Sequence, residues 1–418
     1  MKRVVVTGMG AVSPLASGVA ENWEKLMAGV SGVRTIDTFN TDGLCSKIAG
    51  IVPEGTGKGE FDLDGLFSKR DQGRNDKFIL YTLEASRQAL TDAGWEPTEE
   101  RQRERTATVV GSGVGGFVTL ENGTRSFDRD GQKAVSPFFI AAQVINLASG
   151  QVSIRYGFKG PDFGVVSACA TGSESIATAA RLILLDEADV VIAGGADAPI
   201  DPLAMAGFCQ TRALSTGYNA TPQVGSRPFD RGRDGFVMAE GAGVLVLEEY
   251  EHARARGARI YAELCGYASA SDAYHITATK PDGEGERRAI GECLRRARID
   301  PSEVHYVNAH ATSTPVGDRG ELAAMRAVFG VRQSLAISST KSATGHTLGA
   351  AGAIAAVYSI LAINHNAVPP TLNLEEPEEG FEDMNLVPKV AQERTVDVAL
   401  TNAFGFGATK VSLVFRRV

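Results

Sequence analysis

The chain of 418 residues sets 42 Lys and Arg against 50 Asp and Glu, a formal net charge of −8, and 43% of it is hydrophobic. That balance excludes nucleic acid as a bulk partner, which needs a basic face, while the apolar share suffices for large cores. The scattered cysteines Cys45, Cys169, Cys209, Cys265 and Cys293 form no CxxC pair, which argues against a disulfide framework or zinc ribbon and for a reducing, cytoplasmic setting.

In chain order, Val4-Val5-Val6 after Lys2-Arg3 is too short for a secretory signal and reads as a first buried strand, followed by a turn at Gly8 and Gly10. Lys69, Arg70, Arg74 and Lys77 cluster where a helix begins, with Asn75 as its expected cap and Gly94 as its end. Such a cluster is either a solvated helix start or a docking patch for an acidic partner. The strand at 106–111 runs into Gly111, Gly113 and Gly116, a GxGxxG spacing. No βαβ unit with a strand-ending acidic residue follows, so a tight turn is favoured over dinucleotide binding.

Val165-Val166-Ser167-Ala168-Cys169-Ala170-Thr171-Gly172 reads as a strand turning into a helix over 173–185, with apolar residues at helical spacing. Cys169 at that corner is either a buried structural thiol, the commoner case, or a nucleophile whose thiolate the helix N-terminus favours. A strand at 189–193 follows. The order then repeats, with a strand at 335–339, the turn Lys341-Ser342-Ala343-Thr344-Gly345-His346 and an apolar helix through Ile363. Each half is expected to close on a glycine-rich hairpin, at 234–247 and 399–415. The chain thus divides into α/β halves at 1–255 and 256–418, joined by a charged helix at 248–259. The apolar run Leu348–Ile363, broken by Gly349, Gly352, Tyr358 and Ser359, is expected to fall short of a membrane span and to pack as a buried helix.

His310 follows a strand in the turn Asn308-Ala309-His310-Ala311-Thr312-Ser313-Thr314, and His346 precedes the small-residue helix, where a neutral imidazole is favoured. A neutral imidazole can hold an enolate oxygen. Two histidines, Lys341 and Cys169 at the junctions of corresponding elements point to chemistry more strongly than any one of them.

With Ser167-Ala168-Cys169-Ala170-Thr171-Gly172, Arg227-Pro228-Phe229-Asp230, Arg233-Asp234-Gly235-Phe236, Ser271-Asp272-Ala273-Tyr274-His275, Asn308-Ala309-His310 and Ser339-Thr340-Lys341-Ser342, the chain resembles the β-ketoacyl-[acyl-carrier-protein] synthases, the elongating type II in particular, over its full length. The resemblance implies a thiolase-type fold of five αβαβα layers, a homodimer and no cofactor or metal. It implies Cys169 as nucleophile and His310 and His346 as donors to the enolate, with Lys341, supported by Glu321, ordering His310. The N–H groups of Cys169 and Phe406 would form the oxyanion hole, and Phe404, Phe406, Asp272 and His275 the gate. Thr312, Thr314, Val114 and Phe139 would meet substrate, with Val114 as pocket floor. Lys69, Arg70, Arg74 and Arg212 would dock acyl carrier protein, which resolves the basic patch in favour of docking. A ketosynthase of a type II polyketide or polyene pathway, paired with a related subunit, is the alternative; a non-catalytic partner subunit disagrees with the intact Cys169, His310, His346 and Lys341. The chain departs from the usual pattern at Ala311, where glycine is common, at Ala408 and Lys410, where Gly and Asn are usual, and at Ala355 and Ala403, so no structural cation is expected.

Overall fold

The computed structural model describes residues 2–418. Its strands are β1 (Val4–Val12), β2 (Thr106–Gly111), β3 (Val190–Asp197), β4 (Gly241–Glu249), β5 (Ala262–Ser271), β6 (Tyr306–Asn308), β7 (Ala336–Ser338), β8 (Val398–Phe404) and β9 (Thr409–Arg416). They form one sheet in the order β2-β3-β4-β1-β5-β9-β8-β6-β7. Its two halves meet where Val5 pairs with Glu263 and Val6 with Ala262. Each half has the same logic, with strands that are parallel at the outer edge and antiparallel toward the seam.

The principal helices are α1 (Lys77–Ala93), α2 (Leu147–Tyr156), α3 (Thr171–Leu184), α4 (Glu284–Ala297), α5 (Pro315–Phe329) and α6 (Ala351–His365). Helices α1 and α2 cover the outer face of the first half and α4 that of the second, with α5 packed on α4. Helices α3 and α6 pack on each other and touch both halves of the sheet. Five layers result, αβαβα, as expected, and burial on both faces accounts for the unbroken apolar runs of β1, β3 and β4.

Several expectations change. Gly8 and Gly10 are not a turn. They lie inside β1, where a Cβ at Gly10 would stand 1.8 Å from the Ala85 carbonyl oxygen of α1, so glycine lets helix and strand backbones touch. Asp76, not Asn75, caps α1, its side chain accepting from Phe78 N–H, while Gly94 ends the helix in the left-handed region as expected. Residues 162–166 are not a strand. They run beside β2 with a single parallel bridge, Thr108 to Asp162, in the place that β7 fills in the other half, and among the described residues no strand pairs with their outer edge. The 234–247 hairpin does not form, because residues 236–239 bridge to Leu214, Gly50 and His346 and only 241–249 joins the sheet; the second hairpin is β8 and β9. The charged joining helix shrinks to Tyr250–Ala255, since β4 continues to Glu249.

The run Leu348–His365 is, by length and composition, long enough to cross a membrane after all, yet it is 89% buried inside the protein. Helix α6 therefore owes its apolar character to its position between the two halves of the sheet. It crosses α3 so closely that a Cβ on Gly352 would lie 2.4 Å from Ser173 Oγ and 2.8 Å from its backbone nitrogen. Gly352→Val forces backbone apart at this crossing and should cost about 3 kcal/mol. A thermal melt should show the midpoint several degrees lower, and an unchanged midpoint would contradict this packing.

Candidate active site

Cys169, His310 and His346 line one cavity of about 600 Å³, together with Val114, Phe208, Arg212, Phe236, Thr312, Thr314, Leu348, Phe404 and Phe406. Both halves contribute to its lining, Val114 and Cys169 from the first and His310, His346 and Phe406 from the second. Cys169 stands on a short 3₁₀ turn, 168–170, that leads into α3, and Ala168 takes a left-handed φ of 47° to make the corner. The backbone N–H groups of Phe406 and Cys169, the pair expected for an oxyanion hole, lie near enough to its sulfur to favour the thiolate. Gly405 makes this approach possible, since a Cβ there would lie 2.6 Å from the Ser167 carbonyl oxygen.

The expectation of a lowered thiol pKa is overturned. Burial, followed by the negative charge of Asp197, pushes the Cys169 thiol up to about 12, and the Lys341 charge and the two N–H groups offset this only in part. A helix N-terminus favours charge by a fraction of what desolvation removes. Asp197 escaped sequence reasoning, although an acid closing the run Ala193-Gly194-Gly195-Ala196 was its visible signal. It is fully buried and accepts from Gly113 N–H (3.0 Å), Val114 N–H (3.1 Å), Gly349 N–H (2.6 Å) and the Ser112 hydroxyl, while burial raises its own pKa to about 6. Asp197 thus ties the Val114 turn, the β3 end and the turn before α6 into one block beneath Cys169.

His346 is held in an extended segment, its N–H donating to Val237 C=O (2.8 Å) and its C=O accepting from Ala239 N–H (2.9 Å). Its ring stands edge-on to Phe236 at 5.4 Å and to His310 at 5.5 Å, and His310 in turn meets Phe404 at 5.4 Å. Burial first, then the Lys341 charge, drives both imidazoles well below the usual histidine range, so both are neutral, an outcome expected only of His346. The Nδ1 atom of each is buried without a partner.

Glu321 of α5 positions His310. One carboxylate oxygen accepts from His310 N–H (2.8 Å) and Asn402 Nδ2 (2.9 Å), the other from Ala311 N–H (2.7 Å). Ser412 donates to Asn402 Oδ1 at 2.8 Å and completes a chain that the sequence had not suggested. Lys341 Nζ reaches the Ala309 carbonyl oxygen at 3.4 Å from the other side. Lys341 and Glu321 thus brace one turn without a direct ion pair, burial pushing the lysine pKa down and the glutamate pKa up. The motif at 227–233 is structural, since Arg233 donates to Thr314 C=O (3.2 Å) and Pro315 C=O (2.8 Å), and Phe229 N–H to Asp318 at 3.0 Å.

The remaining expected residues divide. Thr312 and Thr314, their hydroxyls 3.3 Å apart, line the cavity, as does Val114. Phe139 does not; it lies on Gly123 of the helix 117–130, because its own short helix folds back there. Asp272 is buried behind the β8–β9 hairpin, its carboxylate 2.9 Å from Lys410 Nζ and its N–H donating to Ala408 C=O. His275 is exposed and accepts N–H groups from Thr277 and Ala278 of its own turn, so the hairpin meets this loop instead through Gly407 N–H and Ile276 C=O. Arg212 is exposed at the cavity rim. Lys69 and Arg70 are exposed, Lys69 pairing with Asp64 at 2.5 Å, and Arg74 stacks over Phe138 at 4.3 Å.

Profiles of two families match the chain, "Beta-ketoacyl synthase, N-terminal domain" over residues 1–253 and "Beta-ketoacyl synthase, C-terminal domain" over 261–375. The chain is 47% identical to 3-oxoacyl-[acyl-carrier-protein] synthase 2 of Rhizobium meliloti, covering 100% of this chain and 99% of that protein. It is 46% identical to the mitochondrial 3-oxoacyl-[acyl-carrier-protein] synthase of Arabidopsis thaliana, covering 100% and 94%. Among solved structures, a beta-ketoacyl synthase from Burkholderia phymatum aligns with a TM-score of 0.89 at 35% identity, covering 100% of both chains. A type II polyketide ketosynthase solved with its acyl-carrier protein and bound to a hexaketide aligns at 0.89 and 33%, covering 100% and 99%.

A thiol held up to about 12 has a sharp signature. Alkylation of Cys169 by iodoacetamide should still accelerate at about pH 9, and Lys341→Met, which removes a charge that favours thiolate, should slow it about tenfold. A rate that levels off below about pH 7 would contradict this field.

Proposed function

Because the chain belongs to the β-ketoacyl synthase family, we propose that it elongates fatty acyl chains by decarboxylative condensation on Cys169. The observation that carries this reading is one cavity that brings Cys169 together with two neutral imidazoles, His346 buried and His310 half-buried. The Cys169 sulfur attacks the thioester carbonyl of an acyl group on acyl carrier protein, and the N–H groups of Cys169 and Phe406 receive the oxyanion. The carrier thiol leaves with the proton, and the acyl-enzyme remains. Because the resting thiol is neutral, it gives its proton to a neutral imidazole of the same cavity only as the sulfur attacks, and the imidazole returns that proton to the departing carrier thiol.

Malonyl carrier protein then loses its carboxylate as carbon dioxide, and His310 and His346 hold the enolate oxygen by hydrogen bonds. The enolate carbon attacks the acyl-Cys169 carbonyl, sulfur departs, and a 3-oxoacyl chain two carbons longer stays on the carrier. Neutral rings suit this step, since they donate without giving up a proton and keep a positive charge from the nucleophile. Lys341 and Glu321 act through the turn that carries His310. The rim residue Arg212 and the exposed Lys69 and Arg70 meet the acidic carrier, and the co-structure of the related ketosynthase with its carrier supports such docking.

A second copy of the chain covers the unpaired edge at 162–166. Phe163 and Val166 are exposed there at 38% and 57%, and a matching edge would bury them. All five cysteines are free thiols, in keeping with the cytoplasm. A polyketide ketosynthase, working with a related subunit, uses the same residues, but relatives called 3-oxoacyl-[acyl-carrier-protein] synthase 2 stand at 43–47% identity against 33% for that polyketide structure, which favours fatty acid elongation.

Cys169→Ala should abolish acyl-enzyme and condensation yet still release carbon dioxide from malonyl carrier protein. His310→Ala and His346→Ala should each slow that release by about 10²-fold. Condensation by the cysteine variant, or undiminished release by both histidine variants, would overturn these roles.

A further inference from the structure

The cavity wall on the second half carries charge for which the condensation has no use. Lys410 is 2% exposed, Glu286 1% and Asp272 4%, and both Lys410 and Glu286 line the cavity. Lys410 Nζ lies 2.9 Å from Asp272 Oδ2 and 3.8 Å from Glu286 Oε1. The Thr279 hydroxyl lies between the two acids, 3.3 Å from Asp272 Oδ2 and donating to Glu286 Oε1. Among the described residues every polar end in this cluster is answered except one, because Glu286 Oε2 is buried with no hydrogen-bond partner there. An unmet carboxylate oxygen is expensive in a cavity wall, and a ligand donor would remove that cost. Lys410, which stands where the family pattern has asparagine, supplies the cation that keeps two acids together at this spot.

The position tells which part of a substrate passes. Glu286 lies in the first turn of α4, which packs on α5, and the start of α5 at Pro315–Asp318 lines the same wall with Thr277, Thr279, Thr312 and Thr314. Val114, with Asp197, belongs to the first half, and Cys169 stands on that half's α3 corner. An acyl tail directed toward Val114 leaves the arm that carries the thioester on the Glu286 side. A hydrocarbon tail has no donor to offer, whereas the arm of a carrier protein contains amide N–H groups.

We propose that Glu286 touches substrate and sets specificity for the thioester arm, its free Oε2 accepting a hydrogen bond from an amide N–H of that arm. The proposal rests on the condensing function above. Lys410, Asp272 and Thr279 are positioning residues for this carboxylate, which a charge-assisted bond of this kind requires.

The test uses the full-length enzyme and acyl-pantetheine, with each of the two amide N–H groups replaced in turn by an ester oxygen. In the wild type, one of the two replacements should lower kcat/KM for acylation of Cys169 about tenfold. In Glu286→Ala, and in Glu286→Met, which fills the volume without an oxygen, that ratio should fall to within about twofold of one. Wild-type indifference to both replacements overturns the proposal, as does a tenfold ratio that survives in either variant. A preference that follows a hydroxyl placed on the acyl chain, and vanishes in the variants, overturns the assignment to the arm. Failure of the broader reading looks different, since no thioester would then acylate Cys169 in any form of the enzyme.

Discussion

Burial of ionisable side chains at the seam between two sheet halves is the constraint on which this molecule depends. Glu321, Lys341 and His346, and in part His310, are withdrawn from water, where each charge must be answered by a dipole or another charge. Glu321 meets that demand with the backbone N–H groups of His310 and Ala311 and the amide of Asn402. The same bonds that make its burial tolerable fix the turn carrying His310. Stability and positioning are here one interaction, so a change at Glu321 would move a ring it never touches.

The electrostatic consequence is a site that is neutral where reactants meet. Desolvation keeps the imidazoles uncharged and the thiol protonated, and Lys341 offsets the second effect without reversing it. A neutral ring pair can wait beside a neutral thiol without forming an ion pair that would lock the sulfur. Charge then appears only as the oxyanion and the enolate develop, where N–H donors are already aimed. Preorganised donors in a dry cavity stabilise such charge without reorganising at the moment of reaction.

Much of this was legible in the sequence because junctions leave marks. Cys169 after Val165-Val166, His310 after β6 and His346 before α6 are each a reactive residue at the end of a regular element, and the two tours of the chain repeat that grammar. Long-range pairing was not legible. Residues 236–239 look like the first arm of a hairpin, yet they bridge to His346 more than a hundred positions away. The segment 162–166 has the composition of a strand, but an edge forms only where a neighbour stands, and within one chain its outer side has none. The sign of the thiol shift escaped for the same reason, since a helix N-terminus is local while burial and Asp197 come from distant chain. Phe139 and His275 were carried over by resemblance, and the fold turns one onto Gly123 and the other out to solvent.

The central claim is that both imidazoles are neutral at working pH because the protein has removed their water. Labelling the six histidines with nitrogen-15 and following their ring shifts between about pH 5 and 8 tests it most directly, with His310→Gln and His346→Gln assigning the signals. Two rings should keep the shifts of a neutral tautomer down to about pH 5. If either His310 or His346 titrates near its ordinary value, about 6.5, the account of this site is contradicted.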